Sequence, residues 1–168
     1  MRLQSADDLS VYQKSYTVAM HIFELSKRFP QEERYALTGQ IRRSSRSVCL
    51  NLKEAWAKRR YEAHFISKLT DCDGENDETD TSLDFARDCG YISEQEHKQL
   101  VSQCSEIGKM LGAMIRAPEK FVIHEKRHQA FMAGLWLLVS GLSGEVGLGN
   151  IFKSAKRPNP LSRLKSPI

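Results

Sequence analysis

Asp71-Cys72-Asp73-Gly74-Glu75-Asn76-Asp77-Glu78-Thr79-Asp80 is the stretch on which the fold turns. Its composition, acids around a glycine, is that of a loop. Its spacing says otherwise. Phe65, Leu69, Cys72, Asn76, Thr79, Leu83 and Ala86 recur at steps of 4-3-4-3-4-3, in phase straight through the acidic run. A seam that keeps such a step belongs to one long helix with a polar middle. Gly74 costs that helix about 1 kcal/mol relative to alanine, which bundle packing exceeds.

Working outward, Val11, Ser15, Val18, Ile22, Leu25 and Phe29 mark one face of a first helix over residues 9–28, with Asp7 or Asp8 as N-cap and Phe29-Pro30 as its end. Leu37, Ile41, Ser44, Val48, Leu52 and Ala55 stripe a second helix over residues 33–59. The third ends at Gly90, a natural C-cap. Ser93-Glu94-Gln95-Glu96 has the form of a capping box and opens a fourth helix striped by Leu100, Cys104, Ile107, Leu111 and Met114 until Ala117-Pro118. Four amphipathic helices on short connections predict an all-α, antiparallel, up-down-up-down four-helix bundle over residues 7–121. Residues 122–168 form a C-terminal extension. Residues 130–142 are apolar but too short to span a bilayer, and disorder is expected from about Lys153.

The 168 residues suffice for one domain and carry a net charge of +4. The distribution of charge says more than its sum. Residues 27–60 hold ten Lys/Arg against three Asp/Glu, and residues 61–90 hold two against nine. Cys49, Cys72, Cys89 and Cys104 never form C-x-x-C and fall on or beside apolar stripes, so all four read as reduced core thiols. The N-terminus has no apolar signal core, which makes the cytoplasm the expected compartment and a membrane partner unexpected.

Chemistry-bearing motifs are few. His124-Glu125-Lys126-Arg127-His128 matches H-E-x-x-H, yet Lys126-Arg127 make it a solvated turn and no rigid third ligand follows. Asp71-x-Asp73-x-Glu75 lacks the glycine and closing glutamate of a calcium loop, whose places hold Asn76 and Ser82. No phosphate-cradling glycine loop occurs. His21, His64 and His97 each stand alone and read as surface or boundary residues. No catalytic residue, metal or cofactor is expected, and the chain reads as a non-enzyme.

What remains is a basic face. Arg42, Arg43, Arg46 and Lys53 project away from the stripe of the second helix, and Lys58, Arg59 and Arg60 continue the charge at the following turn. Such a ridge suits phosphate contacts to RNA or DNA. An equal alternative is neutralisation, within a subunit or between subunits, by Asp73, Asp77, Asp80 and Asp84. Counting from a turn near residue 59 sets Arg46 level with Asp73 and Arg42 level with Asp77. The charges would then serve assembly or a protein partner. Tyr12, Tyr16, Tyr35, Trp56 and Tyr61 lie beside or off the stripes, as interface aromatics do, so self-association is expected.

Val11-Tyr12-Gln13-Lys14, Phe29-Pro30, Leu37-Thr38-Gly39-Gln40-Ile41-Arg42-Arg43-Ser44-Ser45, Ser47-Val48, Asn51, Glu54-Ala55 and Gly90-Tyr91-Ile92-Ser93 resemble the bacterial four-helix bundle proteins. These are also called 23S ribosomal RNA intervening-sequence proteins, and the accessory variability determinant of diversity-generating retroelements is related to them. The resemblance covers residues 7–121. It implies an antiparallel bundle, often assembled as a homopentameric ring or barrel with a basic surface, with nucleic-acid association for some members and no demonstrated enzyme activity. Arg42 and Arg43 fall in its most specific motif. Cys49-Leu50 and Ala55-Trp56 stand where members often carry Pro and Gly, so the second helix is expected to be straighter and longer.

Overall fold

The acidic stretch is helix. In the computed structural model, which describes residues 3–123, α3 runs unbroken over Glu62–Asp88, and all seven seam residues from Phe65 to Ala86 are buried. Phe65, Leu69, Cys72 and Ala86 retain 0% of their surface. Burying side chains the size of Phe65 and Leu69 contributes about 1.5–3 kcal/mol each, which outweighs one glycine. Polar members of the seam find partners. Asn76 donates its amide to the Cys104 carbonyl at 3.1 Å, and Thr79 donates to Ser44 Oγ at 2.9 Å.

The other helices are α1 (Ser10–Leu25), α2 (Leu37–Lys58) and α4 (Glu94–Arg116). Each buries the stripe read from the sequence, with Leu25, Phe29 and Leu37 packed at the margin. Consecutive helices pack on each other and α4 packs back on α1, so the four form a closed antiparallel bundle. The α2–α3 contact is the most extensive. Buried Ser15 and Ser45 spend their hydroxyls on Val11 and Ile41 carbonyls one turn back, which lets small polar residues sit inside the core. α2 continues without a break through Cys49-Leu50 and Ala55-Trp56.

Two termini follow the reading. Gly90 adopts φ +75°, with Tyr91 N–H on the Ala86 carbonyl and Gly90 N–H on the Arg87 carbonyl, both at 2.8 Å. That is a Schellman cap, and its left-handed residue favours glycine. Ser93 and Glu96 form the capping box: Glu96 N–H donates to Ser93 Oγ at 3.2 Å, and Ser93 N–H to Glu96 Oε2 at 2.8 Å. Two others differ. Neither Asp7 nor Asp8 caps α1; Leu9 holds that position, and Asp8 instead accepts the Gln4 and Ser5 N–H groups of the turn before it. Residues 31–35 are a separate 3-10 turn rather than the start of α2, broken at Ala36, with Glu33 Oε2 accepting the Leu37 N–H at 3.1 Å.

Among the described residues no helix is long and apolar enough to cross a membrane. The H-E-x-x-H segment, residues 130–142 and the expected disorder all lie outside the described residues.

Candidate nucleic-acid interface

The seven candidate cations separate into three groups. Arg43 belongs to the α2–α3 face and reaches Glu75 and Glu78. Lys53 pairs with Asp7 at 2.7 Å, and Lys58 with Glu54 at 3.5 Å. The Asp7 pair is mutual, since the ammonium of Lys53 holds the Asp7 carboxyl below its ordinary value and Asp7 holds Lys53 above. These three are neutralised within the subunit. Arg59 lies on the Trp56 ring, 4.0 Å from its centroid, and donates to the Trp56 carbonyl. Arg60 is exposed in the turn between α2 and α3.

Arg42 and Arg46 converge on one ring, which sets them apart from Arg59 on its own Trp56. Among the described residues neither forms an ion pair. Both lie against Phe23 of α1, their guanidinium carbons 5.1 and 5.5 Å from its ring centroid. Lys27 Nζ approaches the same ring to 4.7 Å while pairing with Glu24. Arg42 Nε also donates to the buried Ser26 hydroxyl at 2.7 Å. Three cations therefore surround one phenyl ring on the α1–α2 face. Cation–π attraction fixes the guanidinium planes, and N–H donors remain at their edges. Next to this cluster, Tyr12 and Tyr16 are 6.4 Å apart at 25°, with Lys53 over Tyr12 at 5.2 Å. Burial pushes the Tyr12 hydroxyl above its ordinary value against the pull of Lys53.

Phe23 and Lys27 were not legible as site residues. They belong to a segment that the sequence marks only by its core stripe, and only the packing of α1 on α2 brings them to arginines far along the chain. Their spacing of four, in line with Tyr12 and Tyr16, is the signal that could have found them.

The acidic flank proposed as the partner of these cations faces the other way. Asp73, Asp77, Asp80 and Asp84 lie on the α4 side of the seam. Asp73 Oδ1 is beside Gly108, Asp77 and Asp80 are near enough to raise the Cys104 thiol, and Asp84 bonds to His97. The acids that meet α2 are Glu75 and Glu78, from the seam's opposite side. Counting along antiparallel helices gives height but not rotation, and 100° per residue puts positions 73 and 75 on different neighbours. Burial and then the neighbouring carboxylate Asp77 raise Asp73; burial followed by Asp84 and Asp77 raises Asp80.

His97 and Cys89 depart from what their sequence surroundings predict. His97 is buried, its Nε2 at 2.8 Å from Asp84 Oδ1 with Arg87 alongside, because α3 supplies partners that the sequence around His97 does not hold. Cys49, Cys72 and Cys104 are core thiols, pushed up by burial to about 11, 12 and 12, but Cys89 is exposed because α3 ends before it.

The model of the 23S rRNA-intervening sequence protein family matches residues 7–113. No curated protein matches the chain. A crystal structure from Bacteroides thetaiotaomicron VPI-5482, described as a protein with unknown function from the S23 ribosomal protein family, is similar at 30% identity. The similarity covers 62% of this chain and 97% of that one, with a TM-score of 0.57.

Proposed function

The chain belongs to the 23S rRNA-intervening sequence protein family, and from that membership and the α1–α2 face we propose a non-enzymatic, self-associating, cytoplasmic bundle that binds RNA or DNA. One observation carries this reading: Arg42 and Arg46 are exposed or half-exposed, have no ion pair among the described residues, and converge with Lys27 on Phe23. A cation already satisfied by a carboxylate gains little from a phosphate, whereas a stacked guanidinium loses nothing by accepting one. The site is therefore narrower than the ridge of Arg42, Arg43, Arg46, Lys53, Lys58, Arg59 and Arg60, with Arg42 and Arg46 at its centre and Lys27, paired with Glu24, at its margin.

The test is a salt titration of binding. Arg42→Ala and Arg46→Ala should each shrink the slope of log K against log salt by up to about 0.9 on duplex DNA or about 0.7 on single strands. Arg43→Ala, with its carboxylate partners, should change the slope less. Wild-type slopes in both variants would refute the reading.

A second reading, assembly or a protein partner, draws on the α2–α3 face. Tyr35 and Phe85, 89% and 59% exposed, line a groove of about 740 Å³ with Leu37 and Cys89. Apolar surface of this kind favours a subunit contact, and the family resemblance implies a homopentamer for that assembly. Sedimentation of Tyr35→Ser with Phe85→Ser separates the readings. Loss of the oligomer alone places assembly on this face, and loss of direct phosphate binding as well assigns the groove to the ligand.

A further inference from the structure

We infer that the α1–α2 face takes single-stranded nucleic acid in preference to duplex, with a base against Tyr16 and the backbone along Arg42, Arg46 and Lys27. This rests on the phosphate-binding reading above. Tyr12, Tyr16, Met20 and Phe23 follow at steps of 4-4-3 and so share one edge of α1, beside α2. The cations are interleaved with them: Lys53 lies over Tyr12, and Lys27, Arg42 and Arg46 surround Phe23. Tyr16 and Met20 are 53% and 42% exposed, although apolar surface there offers a duplex nothing to hold.

A duplex hides its base faces and presents phosphate and sugar, so rings on this edge would be desolvated without return. A single strand offers every base as a π-face, and an aromatic platform flanked by cations fits that chemistry irrespective of sequence. The dimensions agree. Tyr16 and Phe23 are seven residues apart on the helix, about 10 Å at 1.5 Å per residue, or roughly three stacked nucleotides at 3.4 Å. A base on Tyr16 thus leaves its own strand's phosphates within reach of the Phe23 cluster.

The experiment measures fluorescence anisotropy with a 20-nucleotide thymidine strand and a 20-base-pair duplex, on full-length protein, alongside sedimentation. The variants are Tyr16→Ala, Tyr16→Phe and the pair Arg42→Ala with Arg46→Ala. Wild type should prefer the single strand. Tyr16→Ala should weaken single-strand binding about five-fold or more and leave duplex binding and the salt slope unchanged. Tyr16→Phe, which keeps the ring, should bind as wild type, and the arginine pair should weaken both probes. Equal affinity for the two probes with no effect of Tyr16→Ala overturns the single-strand inference and leaves phosphate binding intact. Binding to neither probe overturns both. A Tyr16→Ala protein that dissociates and weakens on both probes alike also overturns the inference, by making Tyr16 a subunit contact.

Discussion

Replacing Gly74 by alanine probes the helix at its least helical residue. Gly74 lies in mid-α3 on the solvent side, and a Cβ built there meets nothing within 4 Å. No packing term opposes the substitution, so its effect is the backbone term alone. Alanine exceeds glycine by about 0.8–1 kcal/mol in an exposed helix interior, because glycine has more unfolded-state freedom to lose. For a bundle of this size the gain raises the melting temperature by roughly 2–5 °C. Urea unfolding followed by far-UV circular dichroism should show a higher midpoint with an unchanged m-value. Gly90→Ala is the contrasting control. Its φ of +75° lies where an L side chain costs about 1–2 kcal/mol, so that variant should be destabilised. A Gly74→Ala protein no more stable than wild type would mean that residues 71–80 are not steadily helical, and the reasoning from the seam would fail at its centre.

Other outcomes follow from the same packing. Glu96 is held near 2 against an ordinary 4.5, first by the Ser93 N–H and then by Arg28. Its contribution is therefore fully present above about pH 4.5 and lost as pH falls toward 2. With a quarter of its side chain exposed, about 1–2 kcal/mol is reasonable, and Glu96→Gln should flatten that part of an acid-unfolding curve. Phe65→Ala removes a side chain with no exposed surface and should cost about 3–5 kcal/mol in denaturant titrations. A double-mutant cycle of Arg43 and Glu78 should show coupling below about 1 kcal/mol, while Arg46 with Asp73 should be additive, since those two residues face different neighbours.

The parts of the fold legible in the sequence were those governed by period and by local chain chemistry. The seam from Phe65 to Ala86 survives an adverse composition because burial is selected at every third or fourth residue, whatever lies between. Gly90 and the Ser93–Glu96 box act within a few residues of themselves. The start of α2 was obscured because Glu33 accepts the Leu37 N–H only after the chain has turned at Ala36. The candidate site was half legible. Arg42 and Arg46 were named from their angle to the core stripe, but what distinguishes them from Arg43 and Lys53 is the identity of the neighbours they meet. Phe23 and Glu78 are supplied by other helices, and charge counts along one segment do not contain them.

The hydrogen bond from Asn76 to the Cys104 carbonyl fixes the vertical register of α3 on α4. A seven-residue slip of one helix along the other would leave both apolar stripes in phase, so hydrophobic burial alone scarcely resists it. The amide reaches that carbonyl beside Gly108, where a Cβ would lie at an ordinary contact distance of 3.6 Å from the Asn76 nitrogen and only a larger side chain would crowd it. Seven residues to either side stand Val101 and Ile115, whose branches would fill the opening. A slipped bundle would bury the amide without a partner, at about 1–3 kcal/mol. Gly108 and Asn76 thus act as keyway and key, and the odd polar residue in the seam selects one alignment among several that the stripes permit.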